Sequence, residues 1–146
     1  AKAGIGRSTF YKHYADKDDF LISSFAGMVA MFDAKARRDG AYDSMLPARE
    51  VFEHVQSARA FAMSLLSSGQ FAQTQAARED KLRAIAEANL KRLRPGLPAA
   101  RRQEIAVVLS ATFGSLMRWW METGMRQDAS HIAGLYEGVA RRLLTQ

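Results

Sequence analysis

Apolar residues recur along this chain at steps of three and four, the period of helices that turn one face to a core. From Lys17 to about Arg38, Phe20, Leu21, Phe25, Met28, Val29 and Phe32 make a broad stripe, ended by Asp39-Gly40. A second segment begins near Pro47 with Val51, Val55, Ala58, Ala62 and Leu65 on one face; it has a potential break near Gln56-Ser57 and stops at Ser67-Ser68-Gly69. From Phe71 to Leu93 the stripe thins to Leu82, Ile85, Ala86, Asn89, Leu90 and Leu93, and the other faces are charged. Pro95-Gly96-Leu97-Pro98 ends it, because proline lacks the amide that a helix needs. The stretch from about Ala99 to Glu122 is apolar on two sides. Ile105, Leu109, Thr112, Leu116 and Trp119 line one, and Val107, Ala111, Gly114 and Met121 continue around the other, which predicts cover from two directions. Gly114 costs about 1 kcal/mol against Ala inside a helix, so with Ser110 and Ala111 it predicts close approach by a neighbouring helix. After Thr123-Gly124 a last helix is expected from near Asp128 or Ser130, with Ile132, Leu135, Tyr136, Val139 and Leu143 as a single stripe. No run alternates apolar and polar residues as a strand would, so the expected fold is all-α.

Composition narrows the classes further. With 146 residues, 48% of them hydrophobic, the chain is long enough for one real core and too short to demand two large ones. It has no cysteine, which excludes disulfides and thiolate chemistry and fits a cytoplasmic setting. The longest uncharged stretch, Ile105 to Met117, is shorter than the roughly 20 residues that span a bilayer, and no signal peptide is visible, so no membrane partner is expected. The net charge of +6 favours an anionic partner.

The N-terminal stretch carries the most specific signal. Gly4 and Gly6 flank Ile5, which allows a tight turn around one apolar anchor, as between the two helices of a helix-turn-helix. Arg7 to Tyr14 then reads as a helix of about two turns, with Phe10 and Tyr14 facing inward together. Its other faces carry Arg7, Ser8, Thr9, Tyr11, Lys12 and His13, all hydrogen-bond donors suited to phosphate oxygens and base edges. Asp16 sits where an N-cap is wanted, with Asp19 three residues on, so a new helix is expected from Lys17. Up to Lys17 four cationic residues (Lys2, Arg7, Lys12, Lys17) stand against Asp16 alone. That balance suits a phosphate backbone.

At these residues the chain resembles the TetR family of bacterial transcriptional repressors, whose signature runs roughly A-G-[VI]-S-x-G-T-[LF]-Y-x-[HY]-F-x-x-K. Ala3, Gly4, Ile5, Thr9, Phe10, Tyr11, His13 and Lys17 match in register. Gly6 stands in place of the capping Ser, Ser8 in place of Gly, and Tyr14 in place of Phe. Gly in place of Ser weakens a helix cap by only a few tenths of a kcal/mol. The resemblance implies that Arg7, Ser8, Thr9, Tyr11, Lys12 and His13 lie in or beside the major groove of double-stranded DNA, and that Lys17 grips a phosphate. It implies a first helix and most of a second upstream of Ala1, so the chain is expected to be a truncated, processed or partial form that binds DNA poorly by itself. It further implies a division at about residue 38, with 1–38 as part of the DNA-binding head plus a connecting helix and 39–146 as a ligand-binding and dimerisation body. The last two helices look like the pair through which such regulators form homodimers. A small apolar or amphipathic molecule entering each body would shift the connecting helix and release a palindromic operator.

Phe61, Met63, Leu66, Phe71, Phe113, Met117 and Trp120 are the candidate lining of such a ligand pocket. Other constellations carry less. His54 has Glu50 one turn before it but no third ligand, so no metal site is expected; His131 has no partner that can be named. Eight cations between Arg78 and Arg102 (Arg78, Lys81, Arg83, Lys91, Arg92, Arg94, Arg101, Arg102) against Glu79, Asp80 and Glu87 read as a solvated face. No nucleophile elbow or phosphate-cradling loop is present, so neither an enzyme nor a cofactor is expected. The expectation is therefore a ligand-responsive DNA-binding repressor, with a constitutive dimeric DNA-binding or adaptor protein lacking a ligand as the alternative.

Overall fold

A computed structural model describes residues 7–40 and 42–145, with side chains from Asp16 onward. Among these residues there are seven helices and no strand: α1 (Arg7–Arg38), α2 (Ala48–Ser57), α3 (Arg59–Ser67), α4 (Gln70–Gln73), α5 (Gln75–Leu93), α6 (Ala99–Glu122) and α7 (Ala129–Leu144). The fold is all-α. The breaks after Arg38, Ser57, Ser67, Leu93 and Glu122 fall where glycine, proline or small polar residues predict them. At Gly124, for example, φ is 90°, a left-handed value that glycine adopts without penalty, and Met125 beyond it returns its amide to the Trp120 carbonyl at 2.8 Å.

Two boundaries differ from expectation. The Arg7–Tyr14 segment is not a separate helix: α1 is continuous for 32 residues, about 48 Å at 1.5 Å per residue. Ala15-Asp16-Lys17 contains neither glycine nor proline, and an interior Asp costs under about 0.7 kcal/mol, so nothing local stops propagation past the Asp16 cap position. The second difference is at Thr74, which interrupts the Phe71–Leu93 segment and leaves the four-residue α4 ahead of α5.

Helix α5 packs along α6, α2 along α7, and α1 across α5 and α2. At the centre lie Phe52, Phe113, Trp120 and Tyr136, with ring centroids 5.0 Å apart for Phe52–Phe113, 5.6 Å for Phe52–Trp120 and 5.5 Å for Phe113–Tyr136. The last two pairs meet edge to face, the arrangement that ring quadrupoles favour. Both polar ring groups are satisfied: Trp120 Nε1 donates to the Gln127 carbonyl at 3.0 Å, and Tyr136 Oη donates to the Ser44 carbonyl at 2.6 Å. Burial holds the Tyr136 phenol well above its ordinary range, and burial with the Asp33 hydrogen bond does the same for Tyr42.

Helix α6 buries one broad stripe rather than two. Ile105, Leu109, Phe113, Gly114, Met117, Trp120 and Met121 are inside, while Val107, Ala111 and Trp119 are outside. The adjacent tryptophans separate completely, with Trp119 46% exposed and Trp120 fully covered. Likewise α7 buries Ile132 and Tyr136 but turns Leu135 and Val139 outward, and Phe20 on α1 is 75% exposed. A strongly apolar helix contains more than one stripe that satisfies the period, and only the neighbouring helix decides which is covered.

Two polar contacts fix the packing. Asp33, buried on α1, accepts hydrogen bonds from Tyr42 Oη (2.7 Å) and Asn89 Nδ2 (2.8 Å) and pairs with Arg37 Nε (3.1 Å). Asn89 also donates to the Met45 carbonyl at 3.0 Å, and Met45 itself is fully buried with φ at 65°. Ten residues before Asn89 on the same helix, the Glu79 side chain lies directly over Gly114 of α6, with Glu79 Cγ 2.8 Å from the site of an added Cβ. The predicted close approach at Gly114 is thus made by a side chain. Gly114→Ala is expected to lower the melting temperature, because Glu79 must be displaced. In a Glu79→Ala background the same change is expected to stabilise by up to about 1 kcal/mol, the ordinary helix preference for Ala. A thermal double-mutant cycle reads this reversal of sign.

Candidate ligand cavity

A cavity of about 360 Å³ lies where α1 crosses the body, a size at the lower end of the usual range for small-molecule sites. Helix α1 supplies Leu21, Ser24, Phe25, Met28 and Met31, one face at steps of three and four. Facing it are His54 and Val55 of α2, Ala58 at the joint, and Phe61, Ala62 and Leu65 of α3. Phe71, Arg78, Met117 and Met121 close it from α4, α5 and α6. Met31 and Phe61, both largely exposed, form its rim. The turn at Ala58 matters here: its amide returns to the His54 and Val55 carbonyls, and α3 leaves α2 there to make the wall. Arg59 at the start of α3 holds that joint by donating to the Gly124 carbonyl at 2.7 Å.

Of the residues expected to line a pocket, Phe61, Phe71 and Met117 do so. Phe113 and Trp120 do not; they belong to the central ring cluster, where an amphipathic segment puts its largest rings when a neighbouring helix is available to cover them. Met63 and Leu66 are half-buried and pack against the core from other faces of α3. His54 sits at the cavity with its ring 5.8 Å from that of Phe32. His131 is exposed.

Arg78 was grouped by sequence with a solvated basic face, and it is instead 3% exposed in the cavity wall. Its guanidinium lies over the Phe71 ring, 3.8 Å from the centroid, and 5.5 Å from that of Phe25. Nε donates to Thr74 Oγ1 at 3.1 Å, and Nη2 donates to the Phe71 carbonyl at 2.7 Å and to Gln75 Oε1 at 3.1 Å. Burial pushes this group down to about 10, with the Glu79 charge opposing the shift, so it stays protonated at neutral pH. The signal that finds Arg78 is its register: it lies four residues before Leu82, on the stripe that continues through Ile85, Ala86 and Asn89. Arg102 also departs from the solvated face, its side chain 17% exposed and its Nε 3.9 Å from Glu87 on α5, whereas Arg83 pairs locally with Asp80 at 2.6 Å and Arg101 with Glu104 at 3.3 Å.

The residues expected to contact DNA, Arg7, Ser8, Thr9, Tyr11, Lys12 and His13, fall on the first turns of α1, and their side chains lie outside the described residues. Lys17 is on the same helix and exposed. Comparison with family models, curated proteins and solved structures finds no match to this chain.

The cavity is expected to bind a neutral apolar fluorophore such as N-phenyl-1-naphthylamine. Ala62→Trp, which places a large ring into it, is expected to weaken that binding at least tenfold without lowering the melting temperature. Unchanged fluorescence titration in the variant contradicts the cavity as the site.

Proposed function

We propose that this chain acts as a TetR-type DNA-binding transcriptional regulator, a homodimeric repressor released from a palindromic operator by a small molecule. The observation that carries this reading is the ordered match of Ala3-Gly4-Ile5, Thr9-Phe10-Tyr11, His13 and Lys17 to that family's signature. Two features support it.

The first is mechanical. The residues assigned to DNA and the residues that line the cavity are carried by one helix, α1, with Lys17 a single turn before Leu21. Arg7 and Phe25 are about 27 Å apart along it at 1.5 Å per residue. A ligand that pushes on Phe25 or Met28 tilts a rod whose other end reads DNA, and a small tilt becomes a displacement of several ångströms there. The ligand must prefer one tilt over the other for this to release the operator. The cavity also favours this reading over a constitutive adaptor, which has no use for one.

The second is the exposed face of the last two helices. On α6, Val108, Ala111, Ser115 and Trp119 are all exposed at steps of three and four, and on α7 Leu135 and Val139 are exposed one turn apart. The two helices pack on each other. Joined to a second copy about a two-fold axis, they make a four-helix bundle. Such a dimer carries two reading helices that must meet successive major-groove faces, about 34 to 36 Å apart.

Val108→Glu with Leu135→Glu is expected to convert a dimer to a monomer of unchanged helicity, read by analytical ultracentrifugation and circular dichroism; a wild-type monomer contradicts the dimer. For DNA, the intact protein is titrated by gel shift on its own upstream sequence. Lys17→Ala is expected to weaken binding and reduce the slope of log affinity against log salt by about one. An unchanged slope removes the phosphate role of Lys17, and absence of any shift by the wild type sinks the regulator reading.

A further inference from the structure

Arg78 is a charge placed inside an apolar wall without an opposite charge to meet it. Among the described residues it forms no ion pair. Its neighbour Glu79 is turned elsewhere: Glu79 Oε1 accepts from Gln75 Nε2 at 2.9 Å, and the side chain covers Gly114 on the α6 side. Nε and Nη2 of Arg78 are committed to Thr74, Phe71 and Gln75, and Nη1 carries no hydrogen bond within the described residues. A guanidinium has five N–H donors, so two remain at Nη1. The rings of Phe71 and Phe25 hold the group from moving, which fixes those donors in place. A buried cation is ordinarily paired, and an unpaired one stands at a considerable desolvation penalty.

We propose that the cavity takes an amphipathic monocarboxylate, its carboxylate on Arg78 Nη1 and its apolar part against the α1 and α3 walls. The inference rests on the ligand-binding part of the reading above and names the chemical class that part leaves open. A single negative charge matches the site better than a phosphate dianion does, because Arg78 is the one arginine or lysine of the lining and, besides Ser24 and His54, the other lining residues are apolar. The depressed affinity of Arg78 for its proton has the same origin in burial, and a carboxylate relieves it. The remainder of the wall, chiefly Leu21, Phe25, Met28, Leu65 and Met117, accepts alkyl or aromatic carbon without making further polar demands. Methionines suit such a wall, since their unbranched side chains fit irregular shapes.

The test compares head groups on one tail. Decanoate, decan-1-ol and decylamine are titrated at neutral pH against the chain loaded with N-phenyl-1-naphthylamine, and displacement is read by fluorescence. Decanoate is expected to displace the fluorophore at a concentration at least tenfold lower than decan-1-ol, with decylamine the weakest. In Arg78→Met and in Arg78→Gln, which retains a donor for the Phe71 carbonyl, the first two are expected to fall within about twofold of each other. Equal displacement by decanoate and decan-1-ol in the wild type overturns the carboxylate assignment and leaves the ligand reading standing. Failure of all three to displace, or of the fluorophore to bind, overturns both. A purely structural Arg78 lowers the melting temperature in both variants while head-group preference persists, and that result also overturns the proposal. Should neither variant fold, the wild-type comparison of the three head groups decides the matter.

Discussion

The Asp33 carboxylate, drawn into the junction of α1 and α5, is the contact from which the rest of the architecture follows. A buried carboxylate is tolerated only when its oxygens are fully used, and here Tyr42, Asn89 and Arg37 use them. Asn89 extends the network to the Met45 carbonyl and receives Arg92 Nη2 at 2.8 Å. One acid thereby ties α1, the connection after it and α5 to a single register, and Tyr136 ties the same connection to α7 through Ser44. Toward its N-terminus from Asp33, α1 meets the body mainly through apolar side chains around a cavity. A further polar contact holds the helix nearer its start, where Asp18 Oδ1 accepts from Gln70 Nε2 at 3.2 Å.

Much of the helical layout was legible because its boundaries are enforced locally. Gly40, Gly69, Gly124 and the Pro95–Pro98 stretch break helices through backbone geometry, whatever packs nearby. The core of α5 was legible for a related reason: its charged residues leave one apolar stripe, so Leu82, Ala86, Asn89 and Leu90 had one face available. What was hidden is what depends on partners. Trp119 and Trp120 are equivalent by composition, and Phe52 of α2 with the Gln127 carbonyl are what cover Trp120. The continuity of α1 through Asp16 was hidden because Asp favours a cap, yet its cost inside a helix, under about 0.7 kcal/mol, is too small to end one. The interruption at Thr74 was hidden because no glycine or proline marks it.

The cavity was partly legible. Phe61, Phe71 and Met117 have the residue type expected of its lining and do line it, but Phe113 and Trp120 have the same type and fill the core. Residue type therefore names the pool from which a wall is drawn and leaves membership to geometry. The least legible residue was Arg78, since a run of cations is ordinarily solvated. Its burial depends on the Thr74 interruption, which leaves the Phe71 carbonyl and the Thr74 hydroxyl turned toward the guanidinium. A break in the helix supplies, from backbone and hydroxyl oxygen, the contacts that an acidic side chain gives elsewhere.

Met45 shows how tightly two requirements can be joined in one residue. Its backbone sits at φ 65°, a conformation that costs a side-chain-bearing residue about 1 to 3 kcal/mol, and its side chain is wholly enclosed. Glycine would relieve the backbone but empty the core, at a penalty of several kcal/mol for a methionine-sized void. A branched residue would fill the space and worsen the backbone. Position 45 therefore sets backbone ease against core filling, and neither Gly nor a residue branched at Cβ improves both.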